Sequence, residues 1–123
     1  MEMNRTHILK RPSATTPRFY ETEGKSSTDE LIVAAHYFMP ATNIDYYVIE
    51  YDIDSDEIFC WGEVISGLGE LGYTSLKELE KIEKRIPIKQ NSEIIGYLPV
   101  RIEYDEYWKP KTLRQTLHER HQR

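Results

Sequence analysis

The chain has 123 residues, 39% of them hydrophobic and 30% charged, with a formal net charge of -5. That length fits one domain with its own core, and no run approaches the roughly 18 apolar residues a membrane helix needs. The single cysteine excludes an intramolecular disulfide and a multi-cysteine zinc site. With no secretory h-region visible at the N-terminus, the expected setting is the cytoplasm.

Residues 1–18 carry Arg5, Lys10 and Arg11 with Pro12 and Pro17 and few apolar positions. They predict a flexible basic arm ahead of a single α+β domain over residues 19–123. The run Leu31–Met39 predicts a strand stopped by Pro40. Ile44–Ile53 sets Tyr47, Ile49 and Tyr51 on one face of a second strand and Tyr46, Val48 and Glu50 on the other. Asp54-Ser55-Asp56 turns the chain into a third strand, Ile58–Ser66, completing an antiparallel meander. Gly67, Gly69 and Gly72 read as breaks. Ser75 with Glu78 forms a capping box, and Leu76, Leu79, Ile82 and Ile86 follow at helical spacing as far as Pro87. Asn91-Ser92 predicts a loop. Tyr97–Tyr104 predicts a fourth main strand, which Pro99 assigns to a sheet edge. Thr112 and Gln115 cap a last helix with Leu113 and Leu117 inward. The expected fold is α+β: a four- to five-stranded, mainly antiparallel meander sheet with two helices packed on one face.

Charge is unevenly placed along these elements. No Lys or Arg occurs from Ser26 to Leu76, a window that holds ten Asp and Glu. Such asymmetry concerns partners and solubility more than fold.

Several patches together carry a family resemblance. They are Tyr20-Glu21-Thr22-Glu23, Tyr37-Phe38-x-Pro40, Tyr46-Tyr47-Val48-x-Glu50-Tyr51-Asp52, Glu70-Leu71-Gly72-Tyr73-x-Ser75-Leu76-x-Glu78-Leu79 and Trp108-Lys109-Pro110. In this order they resemble a family of small bacterial proteins, frequent on plasmids, phages and integrative elements, that is classed as a domain of unknown function. The Glu70–Leu79 patch is the most specific part. The resemblance implies a mobile-element context and an antiparallel sheet with helices, and it brings no catalytic residue.

Candidate chemistry is sparse. Asp52, Asp54, Asp56 and Glu63 match ligand positions of a calcium loop, but Glu57 stands where the loop needs glycine and both flanks read as strands, so an acidic hairpin tip is the better account. His36, with Tyr37 or Asp45 to orient it, has the makings of a base, yet lone strand histidines more often pack. Cys60 lacks a basic neighbour in sequence and reads as a buried hydrophobe. The glycines lack the Lys-Ser/Thr of a phosphate loop, and His118 with His121 offers only two metal ligands. No catalytic residue, metal or cofactor is expected, and the balance leans away from an enzyme.

The leading expectation is a protein-binding accessory module. Asp45, Glu50, Asp52, Asp54, Asp56 and Glu57 would share one exposed face that attracts a basic, nucleic-acid-binding protein. In a mobile-element setting this is an anti-defence inhibitor. Two alternatives stand beside it. One is nucleic-acid binding through the basic terminal segments, with Lys109, Lys111 and Arg114 as the phosphate contacts. The other is a small ligand-binding or hydrolytic enzyme with His36, Tyr47, Glu50 or Asp52 in a sheet pocket.

Overall fold

Alternating side chains in the middle of the chain build one sheet with two buried faces. The computed structural model describes residues 7–24 and 30–122. The expected first strand is broken into β1 (Ile32–Val33) and β2 (Ala35–Phe38), with the Ala34 N–H donating to the Val48 carbonyl between them. The meander continues through β3 (Asp45–Asp52) and β4 (Glu57–Glu63). It then adds β5 (Glu70–Ser75) in the glycine-containing stretch expected to be only breaks. Next come α1 (Leu76–Leu79), β6 (Glu83–Gln90), β7 (Glu93–Arg101), β8 (Glu103–Tyr104), β9 (Lys111–Thr112) and α2 (Leu113–Arg120). The main sheet runs β5-β4-β3-β2-β8, antiparallel at every pairing, and β1 pairs with β9 beside it. This is an α+β fold built on a mainly antiparallel sheet. Among the described residues no helix is long and apolar enough to cross a membrane.

The two helices do not share a face. Ala35, Tyr37, Met39, Val48, Ile58 and Cys60 pack with Leu76 and Leu79 of α1. Val33, Tyr47 and Ile49, with Phe59 and Trp61, pack with Leu113 and Leu117 of α2. Neighbouring residues of β4 thus feed opposite cores, as strand alternation requires. Both alternating sets are apolar, so the sheet has no solvent face and a cover forms on each side. Ile49, Ile58 and Leu113 are at most 1% exposed, and each contributes on the order of 1.5–3 kcal/mol by burial.

The N-terminal segment is strapped down from residue 7 onward, not free. Leu9 lies in the α1-side core. The Tyr37 hydroxyl donates to the Lys10 carbonyl at 2.6 Å, and the Tyr51 N–H donates to the Pro17 carbonyl at 2.9 Å. The remainder of the expected arm, residues 1–6, lies outside the described residues.

The expected helix from Ser75 to Ile86 is the largest departure. Ser75 does cap, its Oγ accepting from the Lys77 and Glu78 N–H groups, but helix persists only through Leu79. Pro87 disfavours helical backbone in the residue before it, and Ile86 and Ile88 suit an extended strand. Asn91 and Ser92 both take left-handed backbone, at φ 51° and 69°, the geometry of a two-residue hairpin turn. Residues 83–101 therefore form a hairpin whose strands, among the described residues, pair only with each other.

Candidate functional site

The densest polar cluster lies on the α2 side of the sheet, where the β-register creates it. Asp45 of β3 sits directly opposite Glu63 of β4, a like-charge cross-strand pair that is unfavourable alone. Arg120, on the last turn of α2, resolves it. Its Nε donates to Glu63 at 2.5 Å, its Nη1 to Asp45, and its Nη2 to the Asn43 carbonyl at 2.9 Å. All three ionised side chains are at most 4% exposed. Burial alone would raise the Glu63 carboxyl, but hydrogen bonds from the Gly67 N–H, the Trp61 Nε1 and Arg120 outweigh it and hold the group near 2.

His36 extends this cluster. Its Nε2 lies 2.6 Å from Asp45 and its Nδ1 lies 2.9 Å from Asp105. The ring stacks on Tyr47 and Phe38 and leans on Trp108. A cleft of about 340 Å³ opens beside it, lined by Phe38, Met39, Pro40, Thr42 and both aspartates. Both imidazole nitrogens are engaged, and the Thr42 hydroxyl donates to the Met39 carbonyl while accepting from the Ile44 N–H. Tyr47 stacks on His36, but Glu50 and Asp52 lie elsewhere. Among the described residues no group of three or more His, Cys, Asp or Glu could hold a metal ion. The cluster ties α2, β2, β3, β4 and the turn at Asp105 together, a structural lock.

The carboxylates expected on one exposed face are dispersed. Asp45 is internal to the lock. Glu50 is 2% exposed, and it accepts from the Tyr20 and Thr22 N–H groups and the Thr22 hydroxyl, pinning the turn at residues 19–24. Asp56 is bound in two-pronged fashion by Arg11, which also reaches Glu80 at 2.5 Å. Burial would raise the Asp56 carboxyl, and Arg11 with the Tyr51 hydroxyl lowers it below its ordinary value. Asp52 accepts from the Ser55 N–H and hydroxyl. Of the six, only Asp54 is fully exposed, with Asp52 and Glu57 half-buried beside it. For Asp45 and Asp56 the physical reason is that the two terminal segments carry Arg120 and Arg11 back over the sheet. The calcium-loop pattern fails for the same reason, since Asp56 and Glu63 serve Arg11 and Arg120.

The basic termini fare similarly. Arg11 and Arg120 are spent internally, and Lys111 pairs with Glu119 while lying over the Trp108 ring. Lys109 and Arg114 remain exposed. Cys60 is buried, which alone pushes its thiol up to about 12.

One feature that internal partners leave uncovered is the 83–101 hairpin, an arm about 26 Å long at the rise of a β-strand. Ile88, Ile94, Ile95, Tyr97 and Leu98 are each at least 44% exposed on it. Only its base joins the body, where Ile82 and Val100 pack against the α1-side core. Arg101 at the base pairs with Glu83 and donates to the Glu80 carbonyl.

Two signals pointed to these features in the sequence. Arg120 follows Leu113, Thr116 and Leu117 at i+7, so it belongs to the buried stripe of α2. Asn91-Ser92 between two β-branched runs marks a hairpin. Compared with known proteins, the chain matches no family model, no curated sequence and no solved structure.

Proposed function

We propose that this chain is a non-enzymatic protein-binding module whose docking element is the β6–β7 arm, not an acidic face of the sheet. The observation that carries this reading is the arm itself. A two-stranded hairpin is marginal in water without a covered apolar face. This one exposes Ile88 and Leu98 at 44% and 53% on paired strands beyond the body. Apolar surface grouped in this way marks a contact site. With Asp45 and Asp56 paired to arginines and Glu50 hydrogen-bonded to the turn at residues 19–24, an acidic face of the sheet has less support as the contact surface. A nucleic-acid reading of the arm has less support, because Arg101 is already paired with Glu83 and the other three cations divide between the two faces of the hairpin, Lys84 on one and Arg85 and Lys89 on the other.

Site-specific photocrosslinking in cells tests the reading. A crosslinker replacing Ile88 should yield a discrete protein adduct, whereas one replacing Tyr107, 92% exposed on the body, should not. Nucleic-acid adducts from position 88, or equal yields from both positions, would overturn it.

A further inference from the structure

We infer that the partner covering the arm is a second copy of this chain, with two arms packed face to face about a two-fold axis. This rests on the reading of the arm as a docking element. The ladder register places four rows on one face of the hairpin: Lys84 with Val100 at the base, where Val100 packs on the α1-side core, then Ile86 with Leu98, Ile88 with Gly96, and Gln90 with Glu93. Partners directly across an antiparallel ladder share a face, and the bulge at Ile88/Lys89 leaves this order intact by accommodating Ile95 as the extra residue.

That order is complementary to itself when one arm is reversed. A two-fold axis near Pro87 brings the 84 row over the partner's 90 row and the 86 row over the partner's 88 row. The bulky Ile86–Leu98 row then meets the small Ile88–Gly96 row. A Cβ built on Gly96 would meet no atom within 4 Å, so this notch is vacant in the single chain and open to a partner's Leu98. Large-on-small packing is how apolar layers interdigitate. At the ends, Lys84 meets the partner's Glu93 twice over by symmetry. Both side chains are exposed, and neither takes part in an ion pair among the described residues. The docking face thus carries one cation and one anion at opposite ends, while Arg85, Lys89 and Arg101 project from the other face.

The arm docks by its face because its edges are blunted. Pro87 on β6 and Pro99 on β7 lack the N–H that strand addition at either edge would use. A face of two strands and four rows covers only a few hundred Å², below the ~800 Å² per partner of a standard interface. Association is therefore weak, and the measurement belongs in the range of roughly 10 μM to 1 mM.

Sedimentation equilibrium on the full chain across that range tests the pairing. The native protein should show a reversible monomer–dimer equilibrium. Lys84→Glu and Glu93→Lys should each weaken it by about tenfold, because each turns two attractions into two repulsions. The double substitution K84E/E93K should restore it to within about threefold, since reversal preserves complementarity. A native chain that stays monomeric at 1 mM, or a double variant as weak as the singles, overturns self-pairing. A crosslink from position 88 to a different protein, with the chain monomeric, would leave the protein-docking reading standing and remove this one.

Discussion

Replacing Arg120 with methionine strips the guanidinium from a site that holds Asp45 and Glu63 at no more than 4% exposure. Methionine fills most of the volume, so the loss is electrostatic: two carboxylates face each other across β3 and β4 with the Asn43 carbonyl also left without its donor. Removing one partner of a buried ion pair costs roughly 3–5 kcal/mol, a large share of the ~6–18 kcal/mol expected for a domain of this size. The melting temperature should fall by about 12–20 °C, with urea unfolding showing a lower midpoint and an unchanged slope. The pH dependence supplies a second reading. In the native chain Glu63 sits near 2 against an ordinary 4.5. Its contribution, about 3 kcal/mol, is full above pH 4.5 and lost as pH falls toward 2. In Arg120→Met the same carboxyl favours its protonated form, so acidification should narrow the gap between variant and native protein. A variant within about 1 kcal/mol of the native chain at pH 7, or a gap that stays flat down to pH 3, would refute the account of the lock.

Other consequences follow from single contacts. Arg11→Ala removes the clamp on Asp56 and Glu80 and should destabilise by about 2 kcal/mol; carboxyl NMR titration should show the Asp56 pKa rising from its lowered position. Gly69→Ala places a Cβ 2.2 Å from the Trp61 Nε1 and 2.7 Å from Glu63. It should cost about 1–3 kcal/mol and perturb Trp61 fluorescence, whereas Gly72→Ala, with no atom within 4 Å, should leave that fluorescence unchanged. The Cys60 thiol, pushed up to about 12 by burial, should resist thiol reagents at pH 8 and react only on unfolding. Leu98→Glu, at a position 53% exposed, should leave unfolding of the dilute chain within about 0.5 kcal/mol of native.

Much of the architecture was legible because strong local patterns coincided with tertiary demands. The alternation in Ile44–Ile53 predicted β3 to within a residue at each end, and the Thr112 cap predicted the start of α2. Failures occurred where one pattern served two periods. Leu76, Leu79, Ile82 and Ile86 fit a helix, yet Ile86, Ile88 and Leu98 equally fit a hairpin face, and Pro87 with the left-handed Asn91-Ser92 turn decides for the hairpin. The helices were expected on one face, whereas the sheet needs cover on both. Ile58 and Cys60 alternate with Phe59 and Trp61, so both of its faces are apolar and both need cover.

The candidate site was less legible, since charge pairing depends on register and on the return of distant segments. Asp45 looked like surface until β4 placed Glu63 opposite it and α2 delivered Arg120 from 75 residues away. A window without cations in sequence is therefore not a surface without cations in space. Arg11 and Arg120 enter it from the two terminal segments.

The most direct measurement of the central claim is the native mass of the chain's complexes by light scattering, with an arm variant set against an acidic-tip variant. The account predicts that the native chain and the D52N/D54N/E57Q triple variant both exceed the 14.6 kDa monomer mass and that Leu98→Glu returns to it. Dissociation of the triple variant with Leu98→Glu unaffected would contradict it.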